Sequence, residues 1–160
     1  MTPLSALARG LVAGIAGTAA MTASQELVAK IRGGESKEPT RWVDTPVPAQ
    51  LGKRIVEGVL DRKVTLKDAP LLTNAMHWGY GVSWGGIYGL VQESIRANAA
   101  ADGAALGTAL WGSSYIAMPA IGLQEQIWKY PPKELAIEFS YHLVYGLGVA
   151  AAYRALDDLL

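Results

Sequence analysis

The sequence predicts an all-helical membrane protein: a bundle of four transmembrane helices built from two repeated helical hairpins, plus one interfacial amphipathic helix. Three observations predict it. Four stretches of the chain carry no charged residue. Glycine is abundant, at 18 of 160 residues, and small residues let helices approach closely in lipid. Nine of the 14 basic residues lie outside those stretches, in the single segment from Lys30 to Lys67.

The four uncharged stretches are the predicted spans. The second and third meet the length of about 20 residues that a hydrocarbon layer requires of a helix. The first and fourth have 16 and 15 residues, so Glu26 or Glu138 would lie at or inside the membrane boundary. The alternative is a soluble bundle with buried helices, but the second and third stretches lack the polar face that a surface helix needs. The stretches are Gly10–Gln25, Ala69–Gln92, Gly103–Gln124 and Phe139–Tyr153.

The polar section between the first two spans combines a loop with a short helix. Residues 31–48 are rich in glycine and proline and are predicted to form a loop. Residues 50–60 follow with Leu51, Ile55, Val59 and Leu60 at helical spacing between charged residues. That amphipathic segment is predicted to lie on the membrane surface with its basic residues toward anionic headgroups, the alternative being an ordinary solvated helix.

The placement of basic residues predicts the orientation. Eleven basic residues lie in the loops after the first and third spans, against three on the other side, so both loops are predicted to face the cytoplasm. The expected location is the bacterial inner membrane, as a multi-pass protein. The first span also resembles a signal peptide, with Arg9, an apolar stretch and small residues before Ser24, so cleavage there is the alternative.

An internal repeat organises the predicted single domain, residues 1–160. The first hairpin covers residues 4–95, with its polar loop at 28–68, and the second covers residues 100–156. The pattern His77-x-x-Tyr80-Gly81 recurs as His142-x-x-Tyr145-Gly146, and each copy has a tyrosine seven residues after its glycine. The two copies would share one orientation and place both histidines at similar depth.

The candidate site residues form two sets. A polar intramembrane seam is predicted to turn inward because histidine and glutamate are costly against lipid. Glycines at four-residue spacing are predicted to mediate helix packing, and Pro119 is predicted to kink the third span. The seam comprises His77, Tyr80, Tyr88, Glu138, His142, Tyr145 and Tyr153, and the packing set comprises Gly10, Gly14, Gly81, Gly85, Gly89, Gly107 and Gly146.

A family resemblance follows from the second half of the chain. Met118-Pro119 with Gly122-Leu123, followed by prolines, glutamates and His142, resembles the YagU family of bacterial inner-membrane proteins. The resemblance covers residues 75–146 well and the first hairpin loosely. It implies an inner-membrane protein associated with acid tolerance, and it implies no catalytic residue. The sequence departs from the family in the long loop after the first span and at Tyr115 or Ile116, where the family tends to carry another histidine. Further matching residues are His77, Gly85, Gly86, Tyr88, Gly107, Trp111 or Gly112, Pro131, Pro132, Glu134, Glu138, Val144 and Tyr145.

The chemistry of the seam leaves three functional hypotheses. Glu138 and His142 lie one turn apart, so the pair could titrate near neutral pH, which favours proton or ion homeostasis or a stress response. Glu134 and Glu138 could equally face headgroups near a helix start. The second hypothesis is an accessory or assembly subunit of a larger membrane complex, or a homo-oligomer. The third is an electron carrier with haem held between His77 and His142. No enzymatic motif, resident cofactor, metal site or nucleic-acid partner is expected, and the bilayer is the predicted surrounding.

Overall fold

The computed structural model describes residues 2–33, 38–92 and 98–159, and within these ranges the regular secondary structure is helical, with no strand. Short 3-10 turns lie in the described connections at Trp42–Asp44, Leu66–Asp68 and Ile127–Lys129. The predicted all-helical class is therefore confirmed. The helices are α1 (Pro3–Arg32), α2 (Val47–Val59), α3 (Ala69–Gln92), α4 (Ala99–Ala120) and α5 (Pro132–Leu159).

Local capping chemistry explains where several helices begin and end. Thr2 caps the start of α1 by accepting a hydrogen bond from the Ser5 backbone, and Gly33 ends the helix with a left-handed φ of 62°. Asn98 caps α4 by accepting from the backbone N–H groups of Ala100 and Ala101. These small polar residues and glycine fix the helix boundaries because they satisfy backbone groups that the helix leaves unpaired.

The turn before α3 is held by a reciprocal cap. Asp68 accepts hydrogen bonds from the backbone N–H and the hydroxyl of Thr65, at 2.7 and 3.0 Å. These bonds favour the charged carboxylate and hold the pKa of Asp68 below its usual value. Because the folded pKa is lowered, the cap is complete at neutral pH and is lost only as the pH falls through that pKa.

The helices pack in the order α3, α1, α5, α4, and α2 packs on α3. Helix α1 packs on α3 and on α5, whereas α4 packs on α5. Two ion pairs join α1 to α5: Arg9 with Asp157 at 2.6 Å and Arg32 with Glu134 at 2.5 Å. Since one pair lies near each end of the two helices, α1 and α5 run antiparallel along almost their full lengths.

The interior is built from small residues and tyrosines. The buried apolar side chains are mainly alanine and tyrosine, and the largest fully buried side chains are Val149 and Thr18. Large aliphatic residues are instead exposed on all four long helices. Exposed examples are Val12 and Ile15 on α1, Ile87, Leu90 and Val91 on α3, Ile116 on α4 and Leu147 on α5.

Two of the four predicted spans meet a hydropathy criterion for membrane crossing. Within the described residues, α1 and α5 are long and apolar enough, with 30 and 28 residues. Helices α3 and α4 have 24 and 22 residues and at most one acidic or basic side chain each, but glycine, serine and aromatic residues lower their hydropathy. Charge-free length alone favours α3 and α4 over α1 and α5, because α1 and α5 continue past Glu26 and Glu138, which bound their charge-free stretches.

Three further expectations are corrected or refined. The amphipathic helix begins three residues before the predicted segment and ends at Val59. Pro119 does not kink the middle of α4, because it lies in the last turn and the helix ends at Ala120. The predicted loop at residues 31–48 includes the end of α1 and a 3-10 turn at Trp42–Asp44, and its residues 34–37 lie outside the described ranges.

Candidate functional site

A series of consecutive hydrogen bonds links His77 on α3 to residues of α1. The ring Nε2 of His77 lies 3.1 Å from the Thr22 hydroxyl, and that hydroxyl lies 2.9 Å from the Thr18 carbonyl oxygen. A carbonyl only accepts, so Thr22 donates its one proton to Thr18, and His77 donates to Thr22 through Nε2–H. The Thr18 hydroxyl, which is fully buried, donates in turn to the Gly14 carbonyl at 2.7 Å.

The second histidine has a different environment. His142 Nδ1 lies 2.9 Å from the backbone oxygen of Glu138, one turn earlier on α5, and therefore donates to it. The side chain of Glu138 is exposed. The two histidines thus bind different partners on different helices, although both lie in the half of the bundle near the α2 end.

Tyrosines of α5 bridge across to α3. The Tyr145 hydroxyl donates to the Gly81 carbonyl at 2.6 Å, and the Tyr153 hydroxyl donates to the Gly89 carbonyl at 3.2 Å. Tyr153 also packs edge to face against Tyr88, with ring centroids 5.7 Å apart. All three tyrosines are buried, so this part of the predicted seam points inward.

Two predicted seam residues lie outside this interior. Tyr80 is 49% exposed and packs its ring against Trp84 rather than against α5. Glu138 is exposed on the first half of α5. The inward part of the seam therefore consists of His77, Tyr88, His142, Tyr145 and Tyr153, with the two histidines only partly buried.

The Tyr145 bridge gives a testable stability effect. We expect Tyr145→Phe to lower the free energy of unfolding by about 1–2 kcal/mol, because it removes one buried hydrogen bond while keeping the ring. Tyr80→Phe is the matched control and is expected to have almost no effect, since its hydroxyl lies on an exposed ring. Unfolding in mixed micelles measures both variants. Equal losses for the two would show that the bridge does not stabilise the helix arrangement.

Helix α1 meets α3 at backbone contact. A methyl group on Gly85 would lie 2.5 Å from the Gly10 carbonyl oxygen and 2.6 Å from the Gly14 backbone nitrogen. A methyl group on Gly14 would lie 2.9 Å from the Gly81 carbonyl oxygen. The helices approach this closely only because glycine has no side chain at these positions.

The second hairpin has the same kind of contact. Gly146 of α5 packs against Gly103 and Gly107 of α4, and a methyl group on it would lie 2.7 Å from the Gly107 backbone nitrogen. In these contacts Gly146 occupies the place that Gly85 has in the first hairpin. The repeat in the sequence instead aligns Gly146 with Gly81, which lies four residues before Gly85. The packing equivalence of the two hairpins is therefore shifted by about one helical turn from the sequence repeat.

Sequence reasoning missed the contact between α1 and α5. Gly17 of α1 packs against α5, because a methyl group on Gly17 would lie 2.8 Å from the Tyr145 carbonyl oxygen. Gly148 of α5 also contacts Gly17, since a methyl group on Gly148 would lie 3.1 Å from the Gly17 Cα. It also missed Thr18 and Thr22. Gly14, Thr18 and Thr22 follow one another at four-residue spacing on one face of α1, and that signal could have identified the two threonines.

No metal site is indicated by the geometry of the described ranges, which contain no cluster of three or more histidine, cysteine, aspartate or glutamate side chains able to hold an ion. The haem hypothesis required both imidazoles to face one space. His77 directs Nε2 to a threonine on α1, and His142 directs Nδ1 along its own helix. These contacts engage one nitrogen of each ring and do not involve the other nitrogen.

Comparison with known proteins identifies one family. The sequence model of a family described as "Protein of unknown function (DUF1440)" matches residues 39–151, well over half of the chain. The match contains the whole of the stretch 75–146, begins before α2 and ends within α5. No curated protein and no solved structure matches the chain.

Proposed function

The chain belongs to the DUF1440 family, and we propose that it is a YagU-like inner-membrane protein with four spanning helices that acts in proton or ion homeostasis or a related stress response. In this proposal α1, α3, α4 and α5 cross the bilayer. Helix α2 lies at the cytoplasmic interface, on the side where most basic residues are found. The polar groups around His77 are the proposed site.

The distribution of large and small side chains carries the membrane assignment. A water-soluble core buries large aliphatic residues, since their removal from water drives folding. Here Val12, Ile87, Ile116 and Leu147 are exposed, one on each long helix, while glycine and alanine fill the contacts. In lipid this arrangement is favourable, because exposed aliphatic side chains contact acyl chains and small residues let helices pack closely.

The spacing of the two ion pairs between α1 and α5 supports the proposal that both helices cross a bilayer. Arg9 and Arg32 are separated along α1 by about 35 Å, from a rise of 1.5 Å per residue. A hydrocarbon core of about 30 Å fits between the two ion pairs. Within that distance, residues 10–25 of α1 and 139–153 of α5 carry no charge and span about 22–24 Å, and Glu26, Lys30, Glu138 and Arg154 lie in the turns next to the ion pairs.

The spans proposed for α3 and α4 rest on length and packing. Both are long enough to cross about 30 Å at 1.5 Å per residue. Residues 69–92 and 103–120 carry no charged residue. Each packs through glycine on a helix that meets the hydropathy criterion, α3 on α1 and α4 on α5. Helices packed along their lengths in this way would share one layer.

The proposed ion role rests on the hydrogen-bonded His77. An ionisable side chain inside a membrane layer is expensive and usually serves a function. His77 lies about 12 Å along α3 from Ala69, so it is placed inside the proposed layer. Its Nε2–H is held by a threonine, which leaves Nδ1 to exchange a proton.

Proton flux into proteoliposomes tests the ion role. We expect flux to rise at acid pH in the wild type and to be lost in His77→Ala and His142→Ala, because each variant removes an exchangeable imidazole. Ser83→Ala is the control, since Ser83 is exposed on the same helix as His77. Wild-type flux no greater than that of empty liposomes would contradict an ion-transport role.

One observation favours a second candidate, an accessory subunit of a larger membrane complex. On α3, Ala75, Gly79 and Ser83 are exposed at four-residue spacing, and a methyl group on Gly79 would meet no neighbouring atom. Small residues on an outer face are suited to close contact with another helix. Co-purification of a stoichiometric partner in mild detergent, reduced by Gly79→Leu, would support this candidate over ion transport.

A further inference from the structure

A shallow groove lies between α4 and α5, in the half of the bundle where α5 begins. Its volume is about 310 Å³. It is lined by Thr108 and Trp111 from α4 and by Leu135, Ala136 and Phe139 from α5. The Thr108 hydroxyl donates to the Ala104 carbonyl oxygen of its own helix at 2.7 Å, and the other lining side chains are aliphatic or aromatic. The groove therefore suits an apolar occupant.

Aromatic side chains form one wall of the groove. The ring centroid of Trp111 lies 5.1 Å from that of Phe139 and 5.3 Å from that of Tyr115. Tyr115 continues the series to Tyr130, at 5.7 Å, in the connection before α5. Ring contacts of this kind stabilise a defined arrangement of the side chains. The wall is therefore part of the packing between α4 and α5, and it extends toward the start of α5.

The groove lies at the boundary of the proposed hydrocarbon layer. The ion pair between Arg32 and Glu134 marks that boundary on α5. Ala136 and Phe139 follow Glu134 by two and five residues, which places them about 3 and 8 Å farther along the helix. An acyl chain in the groove would thus bring its polar headgroup to the level of the first turn of α5.

Lys133 lies at that level and has no ion-pair partner among the described residues. It is exposed, and it makes no hydrogen bond within the part of the chain that the structure describes. It precedes Ala136 by three residues, so the two are neighbours on the helix surface, with Cβ atoms about 5–6 Å apart. The adjacent carboxylate, Glu134, already accepts two bonds from Arg32, at 2.5 and 3.1 Å. An anionic group therefore complements Lys133, and the positive end of the α5 dipole favours it there as well.

We propose that this groove binds one acyl chain of an anionic phospholipid, whose phosphate pairs with Lys133. The inference rests on the proposed function, because it takes α4 and α5 to cross the bilayer with this end in the cytoplasmic leaflet, where anionic lipids are found. The chain alone gives no selectivity, since every phospholipid carries acyl chains. A zwitterionic headgroup balances its own phosphate with an ammonium group, so the preference for an anionic lipid depends on Lys133.

Quenching of Trp111 fluorescence by brominated acyl chains tests the site. The protein is reconstituted into vesicles of dibrominated phosphatidylglycerol mixed with unbrominated phosphatidylcholine, and into vesicles with the bromines on the other lipid. The contribution of Trp111 is the difference between the wild type and Trp111→Phe, which keeps an aromatic ring in the wall. We expect phosphatidylglycerol to occupy the groove about fivefold more strongly than phosphatidylcholine, the effect of one basic side chain at a membrane surface.

Two pairs of variants separate the headgroup from the chain. We expect Lys133→Gln to abolish the preference and Lys67→Gln to keep it, since Lys67 is an exposed lysine that does not line the groove. We expect Ala136→Leu to fill the groove and reduce quenching by both lipids. Ala109→Leu is the control, because Ala109 is exposed on α4 outside the groove. Native mass spectrometry of the lipid retained in mild detergent makes the same comparisons without Trp111→Phe.

The outcomes distinguish the site from the proposed function. Equal occupancy by the two lipids in the wild type, or a preference that persists in Lys133→Gln, would overturn the site. No quenching of Trp111 by either brominated lipid would overturn both the site and the spanning arrangement. A preference for phosphatidylglycerol without proton flux would keep the site and remove the ion role, and flux without that preference would do the reverse.

Discussion

We expect Gly85→Ala to destabilise the protein more than any other single methyl addition between α1 and α3. The new methyl group would lie 2.5 Å from the Gly10 carbonyl oxygen and 2.6 Å from the Gly14 backbone nitrogen. Both obstacles are backbone atoms of a long helix, so the clash is relieved only if α1 and α3 move apart. Overpacking of this kind costs about 3 kcal/mol, the upper part of the usual range.

Two other glycines make this prediction specific. Gly112→Ala is the matched control, because a methyl group there would meet no atom within contact distance, and we expect it to be neutral or slightly stabilising. Gly146→Ala is expected to act like Gly85→Ala, since its methyl group would meet the α4 backbone. The free energy of unfolding in mixed micelles measures all three. A Gly85→Ala loss no larger than that of Gly112→Ala would contradict the close approach of α1 and α3.

The helix positions could be predicted from charge, but two helix lengths could not. The predicted stretch Ala69–Gln92 begins at the first residue of α3, because the turn capped by Asp68 precedes it, and residues 93–97 beyond it lie outside the described ranges. Helices α1 and α5 instead continue through Glu26 and Glu138. A charged residue marks a polar surrounding, whereas a helix ends only where a cap or a chain reversal ends it, as at Gly33.

The glycine contacts were more predictable than the tyrosine contacts. Four-residue spacing places Gly81, Gly85 and Gly89 on one face, and all three lie against α1. The pattern around Tyr80 and Tyr145 is the same in sequence, yet only Tyr145 points inward. The direction of a side chain depends on how its helix is rotated about its axis relative to the neighbouring helices. In packing, Gly146 corresponds to Gly85 and not to Gly81, so residues aligned by the sequence repeat have different neighbours. Spacing within a helix contains no information on that rotation.

The two ion pairs between α1 and α5 should differ in their contribution to stability. Arg9 with Asp157 and Arg32 with Glu134 have nearly equal bond lengths. Their surroundings differ, because the Arg9 side chain is 13% exposed whereas that of Arg32 is 43% exposed. Exposed pairs contribute about 0–1 kcal/mol, since water and salt screen them. A pair with one buried member is screened less, so its loss costs more than the loss of an exposed pair.

We therefore expect Asp157→Asn to lower the free energy of unfolding by about 1–3 kcal/mol and Glu134→Gln by less than about 1 kcal/mol. Each variant removes one charge and keeps the shape of the side chain, so the two can be compared directly in the same unfolding experiment. Raising the salt concentration should weaken the contribution of Glu134 and leave that of Asp157 nearly unchanged. A larger loss for Glu134→Gln would show that the α2 end of the α1–α5 contact, and not the end that contains both chain termini, holds these helices together.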